Sequence, residues 1–282
     1  MTHPARLLLT GLAGTLLASA APPPPPGAGK PAMPRRIVSV NLCADQLVLA
    51  LADRAQIAGL SRNAIDPTMS AAAKRARGLP VLRDSAETLL VAHPDMIVAA
   101  PYQRASVRAP SARFVDAPDA NSYPQIVTQL RRIGAAVGRP DRAAALVDRM
   151  EARLAAVHRT GRGRVAAYYQ RRGYLTGAGT LVDDLMGRLG LVNLATKLGR
   201  PVLAQLSIEE LVAARPDYLI LESDSAAVTD QGSEMLHHPA LRGIPRLWVP
   251  QAWTVCGTPE YVLAAESLTR QIVALDRIGA RR

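Results

Sequence analysis

Short runs of β-branched and apolar residues alternate along the chain with stretches of helical period. RIVSV at 36–40, IAGL at 57–60, DMIVA at 95–99 and RFVD at 113–116 read as short buried strands. Between them, a helix over 46–52 has Asp45 as its cap, and a short helix spans 85–92. Ile126, Leu130, Ile133 and Val137 share one face of a helix over 123–137, which Gly138-Arg-Pro140 ends. A further helix opens at Asp141 and runs to His158, with Val147, Met150 and Leu154 on one face. Its length, at about 1.5 Å per residue, is roughly 27 Å.

After Gly161-Arg-Gly163 the alternation resumes. Strands are expected over 164–169, 217–221 and 246–249, and helices over 181–189, 207–214 and 260–275. Strands that alternate with helices predict an α/β fold with largely parallel sheets. The plan is an N-terminal lobe over 35–138, a bridging helix over 139–160 and a C-terminal lobe over 161–282, each lobe Rossmann-like around a parallel sheet.

The two halves share a frame, S-x-E-x-L-x-x-A-x-P-D, at 85–95 and again at 207–217, an offset of 122 residues. The Ser caps a helix, the Glu sits in its first turn where the positive helix end favours a carboxylate, and Leu and Ala face the core. The Pro stops the helix and the Asp starts a strand. The frame is a reusable helix-to-strand unit. It also sets one acid, Glu87 or Glu209, at an equivalent place in each half. Paired carboxylates suit a two-fold partner that offers arginines.

The formal charge is +11, and 31 of the 34 basic residues are Arg. That balance matches a GC-rich genome or attraction to anions and anionic membrane faces. The basic residues are scattered and form no nucleic-acid motif, so no nucleic-acid partner is expected. Residues 1–20 combine one Arg, an apolar run of about a dozen residues and an A-x-A site at 18–20, the pattern of a secretory signal peptide. No Cys follows it for a lipid anchor. Residues 21–34 hold five consecutive prolines and read as an extended linker. The two cysteines, Cys43 and Cys256, either pair across the chain in an oxidising compartment or remain as two buried thiols.

In this order, the features resemble the periplasmic binding proteins of ABC importers for ferric siderophores, haem and vitamin B12. The resemblance covers roughly 35–276. It rests on the opening RIVSVNL, the two Glu…Pro-Asp segments, the bridging helix and the Trp253…Thr258-Pro259 stretch before the last helix. It implies two lobes with a ligand cleft between them, and a periplasmic monomer. The partner would be a permease dimer in the inner membrane, docked through Glu87 and Glu209, with Glu210 the alternative if the register slips by one. The transported ligand would be a metal chelate (a ferric siderophore, a corrinoid or haem), with no permanently bound cofactor.

Cleft residues are sought at the carboxyl ends of strands. Asn41 and Cys43 follow the first strand. Tyr102 and Arg104 follow the strand at 95–99. Tyr169 and Arg171 follow the first strand of the second half, with Tyr168 directed to the core because strand side chains alternate. Thr176 opens a Gly-rich loop that lacks a P-loop lysine. Trp253 is the expected aromatic ligand contact, and Trp248 is expected in the core. The arginines tilt the expectation towards a ferric siderophore, whose oxygens guanidinium groups bind well. No resident metal site is expected, since only His237-His238 is suggestive and adjacent residues rarely share one metal. The rival from another class, a secreted α/β hydrolase, lacks a G-x-S-x-G elbow. Asp183-Asp184 reads as charge at a helix N-terminus rather than acid–base chemistry.

Overall fold

Two four-stranded sheets, both parallel throughout, organise the chain. The computed structural model describes residues 33–83, 86–107, 109 and 111–280. The expected signal peptide, all but the end of the 21–34 linker, and the Ser85 cap lie outside the described residues. In chain order the elements are β1 Ile37–Ser39, α1 Leu42–Leu51, β2 Ile57–Gly59, α2 Ala73–Ala76, α3 Ala86–Val91, β3 Met96–Ala99 and β4 Arg113–Asp116. Then come α4 Tyr123–Ala136 and α5 Pro140–Ala155. The second half holds β5 Val165–Tyr168, β6 Tyr174–Thr176, α6 Leu181–Leu189, β7 Val192–Asn193, α7 Leu194–Lys197, β8 Leu203–Gln205 and α8 Ile208–Ala214. It ends with β9 Tyr218–Glu222, α9 Gln231–Glu234, β10 Arg246–Val249 and α10 Tyr261–Gly279.

The first sheet has the order β2-β1-β3-β4 and the second β10-β9-β5-β7. Their inner strands, β1, β3, β5 and β9, are buried almost throughout, as parallel strands covered on both sides must be. The short antiparallel pair β6–β8 was not anticipated, and neither was the two-residue β7. The first helix also differs from expectation. It begins at Leu42, and its cap is Asn41, whose side chain accepts from the Ala44 amide at 2.8 Å. Asp45 lies inside the helix, fully buried. It accepts hydrogen bonds from the Ser39 hydroxyl, from the Ser61 hydroxyl at 2.5 Å and from the Ser61 amide at 3.0 Å.

The sequence repeat is a structural repeat. Glu87 and Glu209 are each the second residue of their helix, α3 and α8. His93 and Arg215 both take left-handed backbone, with φ of 43° and 46°, where the chain turns out of the helix. Asp95 and Asp217 then do the same work. Asp95 accepts from the Arg35 and Arg36 amides at 2.7 and 3.0 Å, and Asp217 accepts from the Val165 amide at 2.7 Å. Each carboxylate ties the start of its strand to the start of the strand beside it.

The bridging helix is α5, 16 residues long. Its first turn is held to the first lobe by Asp53, which pairs with Arg139 and, at 2.7 Å, with Arg142. Its last turn is held to α10 by Arg153, which takes both oxygens of Glu266 at 2.7 and 2.8 Å. Val147, Met150 and Leu154 enter one apolar core that continues from the first sheet through α4, α5, α6 and α10 to the second. Tyr123 and Tyr261 stack with ring centroids 5.7 Å apart, and Asp184 accepts from the Tyr261 hydroxyl at 2.6 Å and from the Tyr123 amide at 3.2 Å. The lobes are therefore packed together beside the bridge.

Candidate functional site

The carboxyl ends of the strands meet between the lobes. From the first lobe, the segment after β4 contributes Asp119, Ala120 and Asn121. From the second, β5 ends in Tyr168 and is followed by Gln170, β9 ends in Glu222, and the loop after β10 runs through Gln251, Thr254 and Cys256. Together with Thr176 and Thr180 they enclose a cavity of about 300 Å³. The two lobes approach so closely there that Gly257 has no substitute. A Cβ on it would lie 2.4 Å from the Ala120 carbonyl oxygen.

Cys43 and Cys256 form a disulfide, Cα–Cα 5.3 Å, which ties α1 of the first lobe to the cavity loop of the second. Arg75 of α2 adds a cross-lobe ion pair to Glu260 at 3.1 Å.

The polar centre of the cavity is Glu222, only 7% exposed. Its Oε1 accepts from Gln170 Nε2 at 2.9 Å and from the Tyr168 hydroxyl at 3.3 Å. The Tyr168 hydroxyl also meets Thr254 Oγ1 at 3.2 Å. Burial, and after it the adjacent Glu222 carboxylate, pushes the Tyr168 phenol well above its ordinary pKa, so it stays a donor.

Of the residues expected in the cleft, Thr176 lines this cavity, as does Cys256 of the cysteine pair. The two tyrosines are exchanged relative to expectation. Tyr168 faces the cavity, and Tyr169 is fully buried in the core behind the second sheet, its hydroxyl bonded to the Leu206 carbonyl at 2.8 Å. Burial raises its pKa to about 12. Both faces of the strand are covered, so apolar alternation does not say which face reaches the cleft.

Asn41 donates to Gln103 Oε1 at 2.6 Å and serves as the α1 cap. Tyr102 is exposed. The two arginines are committed elsewhere. Arg104 pairs with Asp116 at 2.8 Å and lies over the Phe114 ring, and Arg171 pairs with Asp230. Trp253 packs half-buried against the shared core, one residue from the lining Thr254. None of these five side chains lines the cavity. A second cavity of about 350 Å³, on the first lobe alone, is lined by Ser39, Ser61, Arg83 and Gln103 among others.

Asp119, Asn121, Gln170, Glu222, Gln251 and Thr254 were missed. All lie at or just after strand ends, the signal that could have found them. Among the described residues no three His, Cys, Asp or Glu side chains are grouped to hold a metal ion. His237 instead meets the Ser225 carbonyl at 2.8 Å.

In the first turn of α8 the structure separates the two neighbouring acids. Glu210 closes a capping box with Ser207 and pairs with Arg200 at 2.7 Å. Glu209 is exposed, and no described side chain pairs with it.

Two lobes, each around a parallel sheet, with a polar cavity at the facing strand ends define a solute-binding protein. The family model described as periplasmic binding protein matches residues 37–246, and the chain belongs to that family. Its members are substrate-binding proteins rather than enzymes. No curated protein matches the chain. Among solved structures it is similar to the periplasmic heme-binding protein RhuT from Roseiflexus sp. RS-1. That match has 24% identity and a TM-score of 0.68, and covers 85% of this chain and 98% of that one. It is also similar to a possible iron-binding periplasmic solute-binding protein from Staphylococcus epidermidis ATCC 12228 (19%, TM-score 0.67, 84% and 98%). A third is an ABC-type Fe3+-hydroxamate transport protein from Saccharomonospora viridis DSM 43017 (20%, TM-score 0.62, 85% and 93%). These likenesses carry the fold.

Proposed function

We propose that this protein captures a metal chelate, a ferric siderophore first among them, in the cavity between its lobes and delivers it to an ABC permease dimer in the inner membrane. One observation carries the reading: a polar cavity closed by both lobes in a chain of the periplasmic binding protein family. The solved structures similar to it include proteins for haem and for an Fe3+-hydroxamate, so haem is the neighbouring reading, and a corrinoid is a further alternative that rests on the sequence resemblance alone. The exposed Glu209 and its counterpart Glu87, alike in helix position, are the docking residues. Secretion through the signal peptide at 1–20 puts the carrier in the periplasm, and no helix among the described residues is long and apolar enough to cross a membrane.

The test is a Glu87→Ala, Glu209→Ala double variant in cells that lack the wild-type copy. Chelate binding by the purified variant should stay within about twofold, while uptake falls at least about tenfold, the effect of losing charge-assisted contacts on both lobes. Undiminished uptake, or uptake lost together with binding, would refute the assigned docking roles.

A further inference from the structure

The charge of the cavity narrows the cargo, on the reading that the cavity is where cargo binds. Among the described residues its lining holds two carboxylates, Asp119 and Glu222, and no Arg, Lys or His. Two arginines that follow strand ends, Arg104 and Arg171, are neutralised by Asp116 and Asp230. Glu222 is more than nine-tenths buried. Its Oε1 takes both available donors, and no described side chain donates to Oε2. That second oxygen is an acceptor left open to the cavity. A buried carboxylate without a counter-charge is costly and is relieved by a cation or an N–H donor. The volume, about 300 Å³, is at the lower end of the roughly 300–1,000 Å³ range of small-molecule sites, enough for one arm of a larger chelate.

We propose that the cargo is a chelate bearing a cationic N–H arm, an ammonium above all, which enters the cavity and donates to Glu222. Haem, with two propionates, and ferric complexes of citrate or catecholates would bring negative charge towards two carboxylates. Their oxygens would find no guanidinium among the described lining residues.

The test toggles the charge on the ligand rather than only on the protein. A ferric trihydroxamate that ends in a free ammonium and the same chelate N-acetylated at that amine are titrated into the wild-type protein, beside ferric citrate, haemin and cobalamin. The ammonium form should bind about tenfold or more tightly than the acetylated one, the scale of a charge-assisted hydrogen bond. Glu222→Gln, which keeps an acceptor for Gln170 and Tyr168, should remove that preference, bringing the affinities of the two forms within about twofold of each other. Equal binding of the two trihydroxamates overturns the inference, and so does tighter binding of haemin, ferric citrate or cobalamin. In both cases the carrier reading still stands. Absence of binding by every chelate would instead remove the carrier reading, and the inference with it.

Discussion

Replacing Cys43 and Cys256 together by Ser is expected to lower the unfolding free energy by up to about 5 kcal/mol. The bond spans 213 residues, so the reduced chain regains the loop-closure entropy of most of its length on unfolding. The effect is local as well. Cys256 lines the cavity and Cys43 sits in the first turn of α1, so the bond pins the lobes at the mouth of the site. The double variant should therefore lose chelate affinity as well as stability. Urea unfolding with and without a thiol reductant measures the first. The midpoint of the wild-type protein should fall on reduction to that of the variant, and the variant should not respond to reductant. A wild-type protein insensitive to reduction would show that the bond stabilises nothing.

The second large effect concerns Asp45. Burial, against the pull of Ser39 and Ser61, raises its pKa from 3.8 to about 6. The folded protein thus holds this proton to a higher pH than the unfolded chain does. The stability linked to it is fully present below pH 3.8 and is lost as pH rises through about 6. Two units at about 1.4 kcal/mol each make the loss about 3 kcal/mol. Asp53, Glu210, Glu266 and Asp276 work in the opposite direction, because hydrogen bonds and Arg partners hold their carboxyls low. Their contributions are lost only as pH falls below the ordinary carboxylate range. The interval above that range therefore reports Asp45. Asp45→Asn keeps an acceptor for the Ser61 amide and can donate to the Ser61 hydroxyl. It should be more stable than wild type at neutral pH and converge with it near pH 4. Parallel stability curves for the two proteins from pH 7 down to 4 would show that Asp45 is not the group that titrates.

Much of the architecture is written in short range. RFVD at 113–116 and the helix at 181–189 are found where expected, because their ends carry strong signals: a β-branched run in one, and in the other a Thr180 cap and the left-handed Gly190. The repeat at offset 122 carries its own helix stop, strand start and carboxylate clamp within eleven residues. Asp45 was misread because a capping residue and a buried acid look alike until the partner strand brings Ser61 beside it. The antiparallel pair β6–β8 was invisible because its strands are three residues long and lie 26 residues apart. The site suffered from the same non-locality. Arg104 and Arg171 were expected at the ligand because they follow strands, but Asp116 and Asp230, 12 and 59 residues away in sequence, take them out of it. In sequence the expected strand at 217–221 stops one residue short of Glu222. Only the approach of Tyr168 and Gln170 from the neighbouring strand makes it the acid of the cavity.

The central claim is that the cavity between the lobes takes a metal chelate. Tryptophan fluorescence of the purified protein tests it directly, since Trp253 lies one residue from the lining Thr254. The protein is titrated in parallel with ferric siderophores, haemin and cobalamin. The account predicts saturable quenching by one class, with Kd in the micromolar range or below. No saturable response to any member of the panel, or steady hydrolysis of an ester substrate in its place, would contradict it.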